Sequence, residues 1–351
     1  MTQKEAILSV PFIEEILLKH YNLGKIVLTA PLESGFQSDN AKVTTETGIY
    51  VIKLLHQSTD YAHDNMVIHD ILTSHGVKTA KPIKTISNDF AISLNQSQSV
   101  VVQSFVPGKP LFRENKEQIY GKMGWYGEQI GIFHRISNNI PLELIEQRIK
   151  RKEYFTDSIK EQIRWSEEAF AILPKHEKNE WIKESFDRWK NKAHRILENA
   201  ELSKGIIQGD LKPGDIFIED GKLTGIIDFW ASNFDYFMSE LGSWSYYTRL
   251  YDTKVEHKFK QFILHYLNQS NIPVEELKLL PFFIETRGYV QIFYYAHRLF
   301  HHITQGLDRD DDEGNVVGYV DGIELVESAV RLDQDYFYDL ANEALEERSP
   351  A

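Results

Sequence analysis

The chain has 351 residues, 42% of them hydrophobic and 12% aromatic, which is enough to build a sizeable core and too apolar for a disordered polypeptide. With 39 Lys and Arg against 52 Asp and Glu the formal net charge is −13, so a nucleic-acid partner, whose affinity rests on Lys and Arg, is not expected. The absence of cysteine removes disulfide scaffolds, Cys-ligated zinc, iron–sulfur clusters and thiol catalysis together. No run approaches the ~18 apolar residues of a membrane span. The first twenty residues are broken by Lys4, Glu5, Glu14 and Glu15, unlike a signal peptide. A cytoplasmic protein with no membrane partner is expected; the sequence carries no sign of an oligomeric state.

Phe12, Ile13, Ile16, Leu17 and His20 follow a helical period that stops at Asn22-Leu23-Gly24. Strand-like runs follow at 25–28, 41–44 and 49–54, separated by turn residues as hairpins require. A helix is expected at 62–75, then strands at 89–94 and 99–103. Residues 104–111 hold two prolines and a glycine and read as a linker. Beyond it, long amphipathic patterns dominate at 116–136, 150–172, 176–200, 255–268, 281–303 and 322–346, interrupted by one β signal between 205 and 229. The expected class is therefore α+β. A small antiparallel β-sheet lobe carrying one helix (1–103) is joined by a hinge (104–111) to a larger, mainly helical lobe (112–351).

The chemistry concentrates at 205–229. Asp220-Gly221 between two apolar runs signals a tight hairpin. Its open ends carry Asp215 and Asp228, close enough on that reading to share a hard cation such as Mg²⁺. Asp210 lies on a loop tightened by Gly209, Pro213 and Gly214, which can aim a third carboxylate at the same point. Three converging carboxylates repel one another, and a divalent metal offsets that repulsion.

The string Gly209-Asp210-Leu211-Lys212-Pro213-Gly214-Asp215 with Ile226-Ile227-Asp228-Phe229 resembles the catalytic loop and metal-binding segment of the protein-kinase-like superfamily. It is most similar to the aminoglycoside phosphotransferase / choline kinase / homoserine kinase branch, and the likeness extends over roughly residues 25–300. It implies a two-lobed kinase-like fold and ATP-dependent phosphoryl transfer to a hydroxyl of a small molecule. Asp210 would be the catalytic base, with Asp215 and Asp228 holding Mg²⁺. Lys53 would grip the α/β-phosphates and Lys212 would steady the γ-phosphate. Ser34 and Gly35 would form the turn over the phosphates. The carbonyl of Ser104 and the N–H of Val106 would read adenine. Within the same likeness, His134 and Glu240 are structural, Glu240 bracing the catalytic loop.

Three positions depart from the family pattern: Gln208 replaces a histidine, Asp215 an asparagine, and Asn65 the glutamate expected to pair with Lys53. They motivate a second reading, a pseudokinase-like nucleotide-binding protein with little turnover. A protein kinase is disfavoured, because no Ala-Pro-Glu string follows Asp228.

For the acceptor, Asp235 reads equally as a ligand for a substrate amine or as a solvated loop acid. The aromatic-rich stretch 285–302 reads as core, with Arg287, His297 and His301 as the residues that would face a pocket. The acidic run 308–313 reads as a solvated loop. An amino alcohol, a hydroxy-amino acid and an aminoglycoside all remain open as acceptors.

Overall fold

The computed structural model describes residues 8–32, 38–110, 116–199, 201–305 and 312–347. In chain order its elements begin α1 (Val10–His20), β1 (Ile26–Pro31), β2 (Ser38–Thr45), β3 (Gly48–Leu55), α2 (Thr59–Ser74), β4 (Ala91–Ser93), β5 (Ser99–Ser104) and β6 (Lys109–Pro110). Next come α3 (Lys116–Tyr120), α4 (Met123–Asn138), α5 (Leu142–Arg148), α6 (Ser158–Ala171), α7 (Asn179–Asn199), β7 (Lys204–Ile207), β8 (Ile216–Glu219), β9 (Lys222–Ile226) and β10 (Asn233–Tyr236). The helices α8 (Phe237–Thr248), α9 (Glu256–Ser270), α10 (Leu280–Gln305), α11 (Asp312–Arg331) and α12 (Tyr336–Glu346) follow. The chain divides into two compact units, each drawn from separate stretches of sequence.

The first unit comprises Met1–Arg113, Asn139–Tyr154 and Gly214–Trp230. Its antiparallel sheet has the order β1-β2-β3-β5-β4. Alternate residues of the central strands (Val43, Ile52, Leu54, Val100 and Val102) form one core with Ile13, Ile16 and Leu17 of α1. Burying each such side chain contributes about 1.5–3 kcal/mol. Lys53 sits between Ile52 and Leu54, so the period of two turns it to the other face, opposite Val101. Helix α2 packs against β4 and β5. It starts earlier than its apolar pattern, because Ser58 caps it by accepting from Tyr61 N–H. A second sheet, β6-β8-β9, contains the Asp220-Gly221 hairpin, whose two turn residues both have positive φ (50° and 75°), as a type I′ turn demands.

The second unit comprises Glu114–Asn138, Phe155–Pro213 and Ala231–Ala351. Its helices pack as α4 on α9 and as α10 on α6, α8 and α11. Tyr289 and Phe293 of α10 join Phe170, Phe186 and Trp189 in an aromatic core. The Ile206-Ile207 run ends β7, which pairs antiparallel with β10. The pattern over 322–346 is broken into α11 and α12, because Asp333 turns its carboxylate onto Asp335 N–H at 2.9 Å, a local turn that competes with helix. Of the acidic run, 308–311 lies outside the described residues, and Asp312 and Glu313 begin α11.

Candidate active site

Two groups of polar side chains stand out, one in each unit. In the second unit the backbone leaves β7 at Ile207 and turns sharply. Gly209 has φ +86°, and a Cβ there would lie 2.1 Å from the Ala231 carbonyl oxygen, so only glycine fits. Gly209 N–H donates to Glu240 Oε2 at 2.8 Å, and Asp210 N–H donates to the buried Gln208 Oε1 at 2.8 Å. Glu240 is itself buried against His134 (3.3 Å), whose other ring nitrogen meets Tyr266 Oη at 2.8 Å. Gln208 thus supplies a loop hydrogen bond of its own.

The half-buried Asp210 carboxylate is held from three sides. Tyr247 O–H donates to Oδ1 at 2.8 Å, the Arg287 guanidinium pairs with the same oxygen, and Lys212 Nζ donates to Oδ2 at 3.2 Å. Arg287 also donates to Tyr247 Oη at 3.1 Å. With its amide oriented to satisfy the network, Gln291 Oε1 accepts from Arg287 Nη2 at 2.7 Å and Nε at 3.1 Å. Burial pushes the Asp210 carboxyl up. The Arg287 and Lys212 cations and the hydrogen bonds from Tyr247 and Arg287 outweigh it, leaving the group below the ordinary carboxylate range.

In the first unit the hairpin ends are tied together: Ile227 N–H donates to the Asp215 carbonyl at 2.9 Å. Asp228 follows with φ +67°, left-handed backbone that a non-glycine residue adopts at a cost. Lys53 lies in the field of Asp228 and Asp215. Burial pushes its ammonium down, and those two carboxylates push back. Its Nζ is 5.6 Å from the Trp230 ring centroid, a cation–π distance. Among the described residues, no group of three or more His, Cys, Asp or Glu side chains is arranged to hold a metal ion. Among the described residues of this unit, the acids whose charge acts on Lys53 are Asp228 and Asp215. Two carboxylates fit Mg²⁺, which takes one or two of them and completes its shell with water and phosphate oxygens.

In the segment expected from the sequence to be a hinge, which lies within the first unit, Phe105 N–H donates to Ile49 O at 3.0 Å and Ser104 N–H to Lys81 O at 2.8 Å. Val106 N–H has no hydrogen bond among the described residues. Ser34 and Gly35 lie outside the described residues. Asp235 is fully buried, and its carboxylate accepts from Ser158 N–H at 3.0 Å and Tyr236 N–H at 2.7 Å. His297 faces Glu168 at 3.6 Å and the Trp165 ring. The sequence reading passed over Tyr247 and Gln291. Their signal was helical spacing: Tyr247 lies seven residues after Glu240 on α8, and Gln291 lies four after Arg287 on α10, each pair on one face.

The family profile described as "Phosphotransferase enzyme family" matches residues 29–266, more than half of the chain. The chain belongs to this family. It is 23% identical over 216 residues to a homoserine kinase of Methylobacillus glycogenes, a match that covers 61% of each protein. It is 21% identical over 227 residues to a homoserine kinase of Chelativorans sp. (strain BNC1), covering 61% of this chain and 62% of that one. The chain thus spans about three fifths of the length of these curated relatives. Among solved structures it is similar to an amicoumacin kinase in complex with AMP-PNP, Ca²⁺ and its ligand, with a TM-score of 0.68, 16% identity and coverage of 97% and 100% of the two chains. It is also similar to a spectinomycin phosphotransferase in complex with ADP and spectinomycin, with a TM-score of 0.62, 15% identity and coverage of 93% and 99%. The fold is kinase-like, as the sequence reading expected: a small antiparallel sheet and a larger helical part.

Proposed function

We propose that this phosphotransferase-family chain moves the γ-phosphoryl group of ATP to a hydroxyl of a small molecule. The observation that carries the reading is the grouping of Lys53 with Asp215 and Asp228 at a hairpin whose open ends are tied. A partly desolvated ammonium beside two carboxylates is matched by a ligand bearing both signs of charge, such as a magnesium–triphosphate. Asp215 and Asp228 would hold Mg²⁺, which neutralises developing charge on the phosphates when bound. Lys53 holds the α/β-phosphates, Lys212 steadies the γ-phosphate, and the Val106 N–H and Ser104 carbonyl read adenine.

Asp210 orients the acceptor hydroxyl and accepts its proton. Its low-lying carboxyl makes it a weak base. That suits a loose transition state, in which the proton leaves late and alignment of the attacking oxygen matters most. Gln208 and Asn65, two of the departures from the family pattern, each hydrogen-bond to the loop beside them, so neither departure leaves that loop unsupported. The molecules in the names of the relatives and similar structures, homoserine, amicoumacin and spectinomycin, support a small-molecule acceptor.

Purified protein with Mg²⁺ and ATP is to be offered amino alcohols, hydroxy-amino acids, sugars and aminoglycosides, and phosphorylated products sought by mass spectrometry. The expected result is ATP consumption with at least one acceptor, falling by about 10²–10⁴-fold in Asp210→Asn. ATP left intact across the whole panel would overturn the reading.

A further inference from the structure

Asn65 stands where the family likeness expects a glutamate partner for Lys53. In the structure its side chain does something else: Asn65 Nδ2 donates to the Phe229 carbonyl at 2.6 Å, and the residue is buried (1% exposed). Its Oδ1 makes no hydrogen bond among the described residues, so the amide is used here as a donor. One turn earlier, Tyr61 O–H donates to the Trp230 carbonyl at 2.6 Å, and the Tyr61 and Trp230 rings stack at 6.2 Å and 13°. One turn later, the His69 ring meets the fully buried Phe229 edge-on at 5.0 Å and is fixed by Thr79 Oγ1 at 3.0 Å. Residues 61, 65 and 69 share one face of α2 by their spacing of four.

That face is itself braced. The Arg151 guanidinium lies 4.0 Å over the Tyr61 ring and bonds the buried Asp64, which also accepts from Lys150 and Arg151 N–H. The two carbonyls it grips follow directly on Asp228, whose positive φ persists only where the surroundings over-determine it. A carboxylate at position 65 would set an acceptor against the Phe229 carbonyl, which explains an amide at this place.

We propose that Asn65 and Tyr61 are positioning residues: by holding the Phe229 and Trp230 carbonyls they keep Asp228 in its left-handed turn and so set its contribution to Mg²⁺–nucleotide binding. The inference rests on the phosphotransferase reading and adds to it a role for α2 other than charge pairing with Lys53. It separates from the family expectation at one substitution. If a glutamate at 65 would pair with Lys53, Asn65→Glu strengthens nucleotide binding; if position 65 serves as a donor, the same change weakens it.

The test is titration of AMP-PNP into the full chain, with and without Mg²⁺, for wild type, Asn65→Glu and Tyr61→Phe. Asn65→Glu is expected to weaken Mg²⁺-dependent binding about tenfold, and Tyr61→Phe about threefold, with Mg²⁺-free affinity changed less than about twofold. Tyr61→Phe keeps the ring on Trp230 and removes one hydroxyl, so it decides the matter should Asn65→Glu not fold. Unchanged or tighter binding, or an equal loss with and without Mg²⁺, would overturn the inference alone. Absence of Mg²⁺-dependent nucleotide binding in the wild type would overturn the phosphotransferase reading and the inference with it.

Discussion

Asp210 is subject to opposed demands. Burial favours its neutral form, while Arg287 and Lys212, with hydrogen bonds from Tyr247 and Arg287, favour the carboxylate and win. Removing Arg287 therefore raises the carboxyl's pKa. Since the ionised form is the one that can orient and accept a proton, the acid limb of kcat/KM moves to higher pH in Arg287→Gln. Tyr247→Phe moves it the same way by less. A pH–rate profile checks this, and an unmoved acid limb in both variants would argue against the proton-accepting role. Arg287 was picked out in the sequence as a polar residue in an aromatic helix, but its partner was not legible. Ion pairing across 77 residues depends on how α10 packs against α8 and how the loop after β7 is held on α8 through Glu240, and no local pattern encodes that.

At the scale of elements, the Asp220-Gly221 hairpin was readable because its turn is set by two adjacent residues with positive φ. The partner of the Ile206-Ile207 run was not, because β10 lies beyond the whole hairpin and contributes only four residues. Two glycines separate intrinsic strain from crowding. A Cβ at Gly221 meets nothing within 4 Å, so Gly221→Ala is expected to cost about 1 kcal/mol, from backbone strain alone. At Gly209 the same methyl would collide with the Ala231 carbonyl as well, and Gly209→Ala is expected to cost about 3 kcal/mol or more and to displace Asp210. Urea melts of the two variants, run side by side, give the comparison; equal losses would contradict it.

At the scale of the molecule, the stability of the fold carries a titration outside the candidate site. Burial pushes the Glu285 carboxyl up to about 7, against the Tyr289 hydrogen bond and the Lys192 and Arg188 charges. An acid with a raised folded pKa stabilises the fold through its bound proton. That contribution is complete below the ordinary value of 4.5 and is lost as pH rises through about 7. Glu285→Gln cannot lose it. The variant is expected to gain on wild type between those pH values, by on the order of 2 kcal/mol, and to run parallel above them. Denaturation at pH 4.5, 6 and 8 measures the gap, and a gap independent of pH would refute the assignment. At this scale too, no helix among the described residues is long and apolar enough to cross a membrane.

The sequence by itself determined the family, the kinase-like class and the identity of the acids on the loop and hairpin. Each of these is written in short-range chemistry: a glycine that only one backbone conformation requires, a turn of two residues, an alternation of period two. Tertiary structure alone decided what surrounds those groups. It assigned the Arg287–Tyr247 clamp to Asp210, put the Asn65 amide on the Phe229 carbonyl where a glutamate was expected, buried Asp235 under backbone N–H groups, and gathered each compact unit from three separated stretches of chain. The physical reason is the same in each case. A hydrogen bond or ion pair between residues far apart in sequence exists only because the intervening core packs in one way, and that packing is a property of many weak contacts together rather than of any motif.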